Sequence, residues 1–574
     1  MNGNNVWHAA LHEMRTLRRL FRTHVFILVA LFISACYFLA VTITHMQEGT
    51  KFPMISVISP RYVMSLLSGS FLALFCAGVV LLTFDQVKRD EITRIHEVVS
   101  SKPASNFELF IGRLFGVSMT VAVPMLLFLF SVMTYGFIAD MFSIKFGEPV
   151  EFWSVVSFVL LDMFPNFLFF GSLVVLLSLL FKSRLLALLV TLIGLIAVFW
   201  INSRLPLHLS KPWQTVTGYV LFPTELTPEL FTPTTLFNRI ALVSMSIGML
   251  HWASNFVARV VPSRSWHPVV GSLSFCFGLL VIGTLVGAQV LENNRINHWV
   301  DVHDEHFDPR AFPDVHEVRG SVAIKPGRTL TLNLQLDVTV DIDQDVEFIL
   351  FSLNPGYDIS NLAVAGKQVI DHKFKRGLLK IPQHYFNSDL NELEITAKGR
   401  PNIRFAYLDT VDTLAKVVGP DVRQLRQLGT ENAIFHSNFV VLTPGIKWYP
   451  TSGTATNEDA WERRKRDFFT LDIDVSVPQR WLVAGPAKRQ VLVDDNRAKY
   501  RFQQSSPLPE FALVGSKFVS AAIEAEGVSF ECLYAKIHRR PFEWFSGNPA
   551  DQIQEITTGN LNSLKHKGLE YPYG

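Results

Sequence analysis

The sequence is poor in cysteine and in charge, and each shortage removes a class of protein. Four cysteines occur in 574 residues: Cys36, Cys76 and Cys276 lie in apolar runs and Cys532 stands alone in polar sequence. No disulfide framework of the kind that staples small secreted folds is available. Charged residues make up 18% of the chain, below the roughly 25% of an ordinary soluble domain. The formal net charge is +2 and no basic stripe dominates the chain, so the charge gives no case for nucleic acid as a partner.

Two motifs of nucleotide and metal chemistry are missing as well. There is no G-x-x-x-x-G-K-[ST] phosphate loop. A zinc helix H-E-x-x-H needs two histidines one turn apart on one face, with the glutamate between them as base. The three His-Glu pairs, at His12, His96 and His316, read HEMRT, HEVVS and HEVRG, and each lacks the second histidine. The residues themselves therefore assign no catalytic group and no cofactor to this chain.

Apolar sequence is abundant instead. Hydrophobic residues reach 49%, phenylalanine alone numbers 47, and the mean hydropathy is +0.26. Seven apolar runs are long enough to cross about 30 Å of hydrocarbon: Val25–Thr44, Val63–Phe84, Phe115–Ala139, Val155–Phe181, Leu185–Asn202, Ile240–Val257 and Val269–Leu291. The first is too long, and too far from the N-terminus, to be a signal peptide. With the N-terminus inside, Arg15, Arg18, Arg19, Arg22, Lys88, Arg89, Arg94, Lys102, Arg113, Lys182, Arg184, Arg259 and Arg264 fall on inner segments. Fewer, among them Lys51, Arg61, Lys145, Arg204 and Lys211, fall on short outer loops. The bias predicts a multi-pass protein of the cell (inner) membrane with a cytoplasmic N-terminus and everything after Leu291 outside; were the sixth run not to cross, the side of that part would invert.

Two amphipathic stretches are expected on the inner side. In NVWHAALHEMRTLRRLF, Trp7, Leu11, Met14, Leu17 and Phe21 share a helical face, which suits a helix lying in the membrane interface. In FDQVKRDEITRIHEVVSSKP, Ile92, Ile95, Val98 and Val99 form a stripe opposite Asp90, Glu91, Arg94 and Glu97, until Pro103 breaks the helix. An ordinary connector would show the same periodicity. Asp162, with Pro165 and Asn166 close behind, is the main polar feature within a run. Intramembrane polar residues mark function by default, although a broken or re-entrant helix would also place them there.

The N-terminal helix, the first hairpin and the connector Lys88–Gly116 together resemble the permease subunits of type-2 ABC exporters. The resemblance covers roughly the first half of the chain. It implies six spans, with the seventh an addition that carries the chain outward. It also implies a separate cytoplasmic ATPase that uses ATP and contacts Asp90, Glu91, Arg94 and Glu97, and a homo- or heterodimer of permease subunits in the lipid bilayer. LLSGS at Leu66–Ser70 is similar to a nucleotide-cassette signature but falls inside an apolar run, out of nucleotide reach.

After residue 316 the period changes to two. Leu330, Leu332, Leu334, Leu336, Val338 and Val340 alternate with polar partners, as do Phe469, Leu471, Ile473, Val475 and Val477. Such alternation predicts antiparallel strands with one buried face. KPGR, NPGY and VAGK supply turns, a helix is expected near Asp421–Leu428, and another from Pro541 to Gly568. Between the halves, HWVDVHDEHFD offers His298, His303 and His306 as weak metal-ligand candidates, although a solvated loop needs such residues anyway.

Trp448-Tyr449-Pro450, a strand ending at Pro478 and leading to VAG, and a helix followed by Tyr571-Pro572-Tyr573 stand in one order. In that order residues 315–574 resemble the N-terminal β domain of the aminopeptidase-N-like zinc peptidases (gluzincins). In that family Tyr-Pro-Tyr opens the catalytic domain and the zinc helix follows. The resemblance implies zinc in the family but no zinc site in this chain. The expected architecture is a multi-domain membrane protein, an α-helical transmembrane bundle of about seven spans followed by an antiparallel β-sandwich. Its parts are an interfacial helix (1–24), a permease-like domain (25–291), a juxtamembrane linker (292–316), the β domain (317–540) and the start of a truncated catalytic domain (541–574). Three roles remain open: a permease-type subunit carrying an aminopeptidase-like domain, the front portion of a membrane-bound zinc aminopeptidase, and a membrane-anchored module that binds a peptide ligand.

Overall fold

The computed structural model describes residues 2–51, 60–93, 104–142, 144, 150–181, 183–204, 231–257, 266–343, 345–406, 408, 433–456, 467–492, 496–525, 528–535 and 549–569. The chain divides into a helical unit within Met1–Val290 and a β unit from Leu291 onward.

The helical unit contains α1 (Gly3–Leu17), α2 (Phe21–Lys51), α3 (Pro60–Thr83), the short α4 (Gln86–Thr93) and α5 (Asn106–Met141). A segment α6 (Phe152–Ser157) passes through a π turn (Phe158–Met163) into α7 (Phe164–Leu180); α8 (Arg184–Arg204), α9 (Pro233–Phe256) and α10 (His267–Glu305) follow. Local sequence sets several of these boundaries. Ser105 caps α5 in a reciprocal capping box with Glu108, satisfying two otherwise unpaired amide donors. Thr232 caps α9, with Pro233 at its first position, where a missing N–H is harmless. Pro165 has no N–H to return to the carbonyl of Leu161, which lies inside the π turn. The wider turn accommodates that lost bond without ending the helix.

All seven apolar runs are helical, but not all seven clearly span. Among the described residues five helices are long and apolar enough to span: Phe21–Ala40, Phe71–Arg89, Asn106–Ala139, Phe152–Leu180 and His267–Glu305. The apolar part of α8 covers Arg184–Val198, and α9 carries Asn238, Arg239 and His251, all buried. Those polar side chains lower the hydropathy of α9 because they serve the bundle interior. The bundle core holds Phe71, Phe75 and Phe158, the first two with ring centroids 4.9 Å apart.

The β unit is built on an eight-stranded sheet. Its spatial order is Arg489–Leu492, Ala498–Leu508, Phe469–Val477, Asp314–Lys325, Thr329–Thr339, Asn391–Gly399, Tyr357–Val364 and Lys367–Gln368. Two four-stranded sheets and the hairpin Phe518–Ala525/Val528–Ala535 accompany it. The two alternating segments are strands, and Leu330, Leu332, Leu334, Leu336 and Val338 of one, with Phe469, Leu471, Ile473, Val475 and Val477 of the other, are buried. VAGK forms a tight turn with Ala365 (φ 48°) and Gly366 (φ 76°) both left-handed, the combination that matches strand twist in a two-residue hairpin.

The wholly antiparallel expectation needs one change. Asp314–Lys325 and Phe469–Val477 pair in parallel, with Glu317 opposite Thr470; the other strand pairs among the described residues are antiparallel. Alternation shows which face of a strand is buried, but not its neighbour's direction. Within the expected linker at 292–316, α10 continues as helix to Glu305. Ile296, Trp299, Val300 and His303 recur at helical spacing on one side and pack with Phe405, which stabilises helix where a loop was expected. The helix near Asp421–Leu428 lies outside the described residues. The C-terminal helix, α11, spans Pro549–His566.

Candidate functional site

Asp162 and Asn166 sit together at the π turn, and α9 brings the partner that sequence reasoning missed. Arg239 Nη2 donates to Asp162 Oδ1 at 2.7 Å, with side-chain exposures of 3% and 1%. Arg239 Nη1 donates to Asn238 Oδ1 at 3.0 Å, and Asn166 Nδ2 donates to the Asp162 carbonyl at 2.8 Å. The signal was present in the sequence as one arginine close to the start of the sixth apolar run. Its distance from Asp162 along the chain, 77 residues, concealed the pairing. A buried pair is held by mutual attraction against a large desolvation penalty, so each charge requires the other.

A second assembly joins α1, α4 and α5. Glu108 Oε1 accepts from the Asn2 amide at 2.6 Å and Oε2 from Asn5 Nδ2 at 3.1 Å. Gly112 and Gly116 lie under α1: a Cβ at Gly112 would come within 2.5 Å of the Val6 carbonyl, and one at Gly116 within 2.5 Å of the Ala10 carbonyl. The buried face of α1 is accordingly Ala10, Glu13 and Leu17. Of the expected interfacial face Trp7, Leu11, Met14, Leu17 and Phe21, Leu17 is buried, Trp7 and Phe21 are exposed, and Phe21 belongs to α2. Close backbone approach selects small residues, which hydropathy ranking ignores. Arg89 Nη2 donates to Glu13 Oε1 at 2.6 Å, and Arg22 spans both oxygens of Asp85 at 2.7 and 2.6 Å. These two pairs tie α1 and the start of α2 to the α3–α4 connection.

Gly116→Leu should loosen α1. Overpacking of this kind costs about 1–3 kcal/mol, or roughly a 5- to 150-fold increase in the opened population. Trypsin cleavage after Arg15, Arg18 or Arg19 in the purified chain should accelerate accordingly; an unchanged cleavage rate would contradict the packing.

Of the connector residues, Asp90 and Glu91 fall in α4, whereas Arg94 and Glu97 lie outside the described residues. The histidine candidates separate. His298 is exposed, and His306 Nδ1 donates to the Val302 carbonyl at 2.8 Å. His303 is buried with both ring nitrogens engaged: Nδ1 accepts from the Ala455 amide at 3.0 Å and Nε2 donates to the Arg376 carbonyl at 3.1 Å. No group of three or more His, Cys, Asp or Glu suited to a metal occurs among the described residues. The His-Glu pairs do not fit zinc either. Glu13 is held by Arg89, His316 Nε2 is 2.8 Å from Thr339 Oγ1 on a strand, and His96 lies outside the described residues.

In the β unit, Trp448 and Tyr449 are fully buried, with Phe511 4.3 Å from Tyr449 and 5.0 Å from Trp448 between centroids. Tyr357 donates its hydroxyl to the Trp448 carbonyl at 3.0 Å, and burial pushes its phenol pKa well above the usual 10. The tryptophan-tyrosine segment is thus the centre of a packed core, not part of a surface site.

No protein-family model matches the sequence, and no curated protein matches it. Among solved structures, the chain is similar to an M1 zinc metallopeptidase from Deinococcus radiodurans, with 13% identity, a TM-score of 0.29, and coverage of 39% of this chain and 48% of that one. It is similar also to Legionella pneumophila aminopeptidase A (10%, TM-score 0.28, covering 38% and 23%) and to yeast LTA4 hydrolase (13%, TM-score 0.26, covering 38% and 31%). The chain therefore spans less than half the length of these three structures.

Proposed function

We propose that this chain is the membrane-held, non-catalytic portion of an aminopeptidase-type zinc peptidase. The helical unit anchors it in the bilayer. The β unit is the sheet module beside which a zinc-bearing part works, on residues beyond this sequence or on another chain. The observation that supports this reading is the buried Trp448–Tyr449 core within a mostly antiparallel β unit, in the family order of parts quoted above. Purified full chain should retain no tightly bound zinc and hydrolyse no aminoacyl amide. One tight zinc per chain, lost to a chelator together with hydrolysis, would overturn the reading.

A second reading, the permease-type subunit of an exporter, draws on the pairs Glu13–Arg89 and Arg22–Asp85. They fasten the connector expected to meet a separate ATPase to the N-terminal helix. Co-purification of an ATPase that is lost on Arg94→Glu would favour it over the first.

Both readings place the β unit outside the cytoplasm. Five crossings and seven crossings are both odd, so losing α8 and α9 together as spans leaves the sidedness unchanged. With the native cysteines replaced by serine, Ile370→Cys, an exposed position of the β unit, should label with an impermeant maleimide on intact cells. Labelling only after permeabilisation would reverse the orientation.

A further inference from the structure

Five buried side-chain oxygens of the helical unit stand without a hydrogen-bond partner among the described residues, those of Thr23, Thr83 and Ser157 together with Asp162 Oδ2 and Asn166 Oδ1, and only the last two are pure acceptors. Their residues are 1% and 0% exposed. The arrangement around them limits how either is satisfied. Arg239 serves Asp162 through Nη2 at Oδ1, while its Nη1 serves Asn238, so the guanidinium is not set as a two-pronged clamp on the carboxylate. The Asn166 amide cannot be flipped, because its Nδ2 faces the Asp162 carbonyl at 2.8 Å and an oxygen there would meet another oxygen. Its Oδ1 must therefore point elsewhere.

Buried acceptors are ordinarily paired, and the charge balance says what could pair them. Asp162 and Arg239 cancel. An added cation would leave a net positive charge in a low-dielectric core, and an anion a net negative one beside two acceptor oxygens. A neutral donor leaves the balance intact. Asp162 also lies within the π turn Phe158–Met163, and π turns recur where helices build ligand sites. The facing charged or titratable groups are Arg239 of α9 and the thiol of Cys76 on α3, which lies within electrostatic reach of both members of the pair.

We propose that Asp162 Oδ2 and Asn166 Oδ1 form an intramembrane binding site for an uncharged O–H donor. Its source is an ordered water or the hydroxyl of a small neutral molecule. One water carries two hydrogens, and buried water is retained where it finds two or more polar partners. The site does not depend on either reading of the chain's function.

The test is a density map of the full chain in lipid nanodiscs, at a resolution that shows ordered water. An isolated spherical peak within hydrogen-bond distance of Asp162 Oδ2 or Asn166 Oδ1 is the expected result and identifies water. Elongated density at the same place, with a neutral hydroxyl compound recovered by mass spectrometry, identifies the second source. An empty site, a metal ion, or a protein donor on both oxygens overturns the proposal. Asn166→Leu should abolish the peak while leaving Arg239 on Asp162, whereas Asn166→Ser, which restores a polar partner, should retain it. A peak unchanged in Asn166→Leu would also overturn the two-oxygen site.

Discussion

Arg239→Leu should be among the most damaging single substitutions in the helical unit, with a loss of about 3–5 kcal/mol. The lost attraction is only part of the effect. Asp162, 1% exposed, would remain as a carboxylate without its counter-charge, or would take up a proton to avoid it. A companion substitution exposes this logic. Asp162→Leu alone should be similarly damaging, because it strands Arg239. The double variant Arg239→Leu/Asp162→Leu should recover much of the loss, since a buried pair replaced by apolar groups is often near neutral. Thermal unfolding of the detergent-purified chain, monitored through a probe in the helical unit, reads all three. Additive losses in the double variant would contradict the pairing, because residues in direct contact are expected to couple.

In the β unit, Trp448→Ala should cost about 3–5 kcal/mol. The indole packs against Tyr449 and Phe511 with centroids 5.0 Å away from each. Its removal leaves a cavity that the two rings cannot fill without leaving their own contacts. Trp448→Phe should cost much less than its lost volume suggests. The Trp448 indole N–H has no acceptor among the described residues, and removing a buried unpaired donor returns about 1–3 kcal/mol. Urea unfolding of the purified chain, monitored by a probe in the β unit, separates the variants. A phenylalanine variant as damaged as the alanine one would show that the indole N–H is bonded after all.

The features readable in sequence were those set by local periodicity. The strands Thr329–Thr339 and Phe469–Val477 showed themselves through alternate burial, and the apolar runs through length. Asp162 and Asn166 stood out because polar residues in such runs are scarce. Their partner did not, since Arg239 is remote in sequence and looks like a loop charge near a helix start. The packing of α1 was hidden for a different reason. Its close approach to α5 sets Ala9 and Ala10 against Gly112 and Gly116, and small residues give no hydropathy signal. His303 resembled a metal ligand because imidazole chemistry is ambiguous until its two neighbours, Ala455 and Arg376, are known. The parallel strand pair was beyond reach because each strand's own pattern is the same whichever way its neighbour runs.

That parallel pair governs the order of events during synthesis. Asp314–Lys325 can gain its antiparallel neighbour Thr329–Thr339 almost at once, but its other neighbour, Phe469–Val477, emerges about 150 residues later. At about 5–20 residues per second of translation, the interval is on the order of 8–30 s. Throughout it, a strand destined for the middle of the sheet has one edge of unpaired amides and carbonyls, which is the surface through which nascent chains associate wrongly. Production of the β unit should therefore respond to chaperone supply and to translation speed between residues 340 and 470 more strongly than its final stability would suggest.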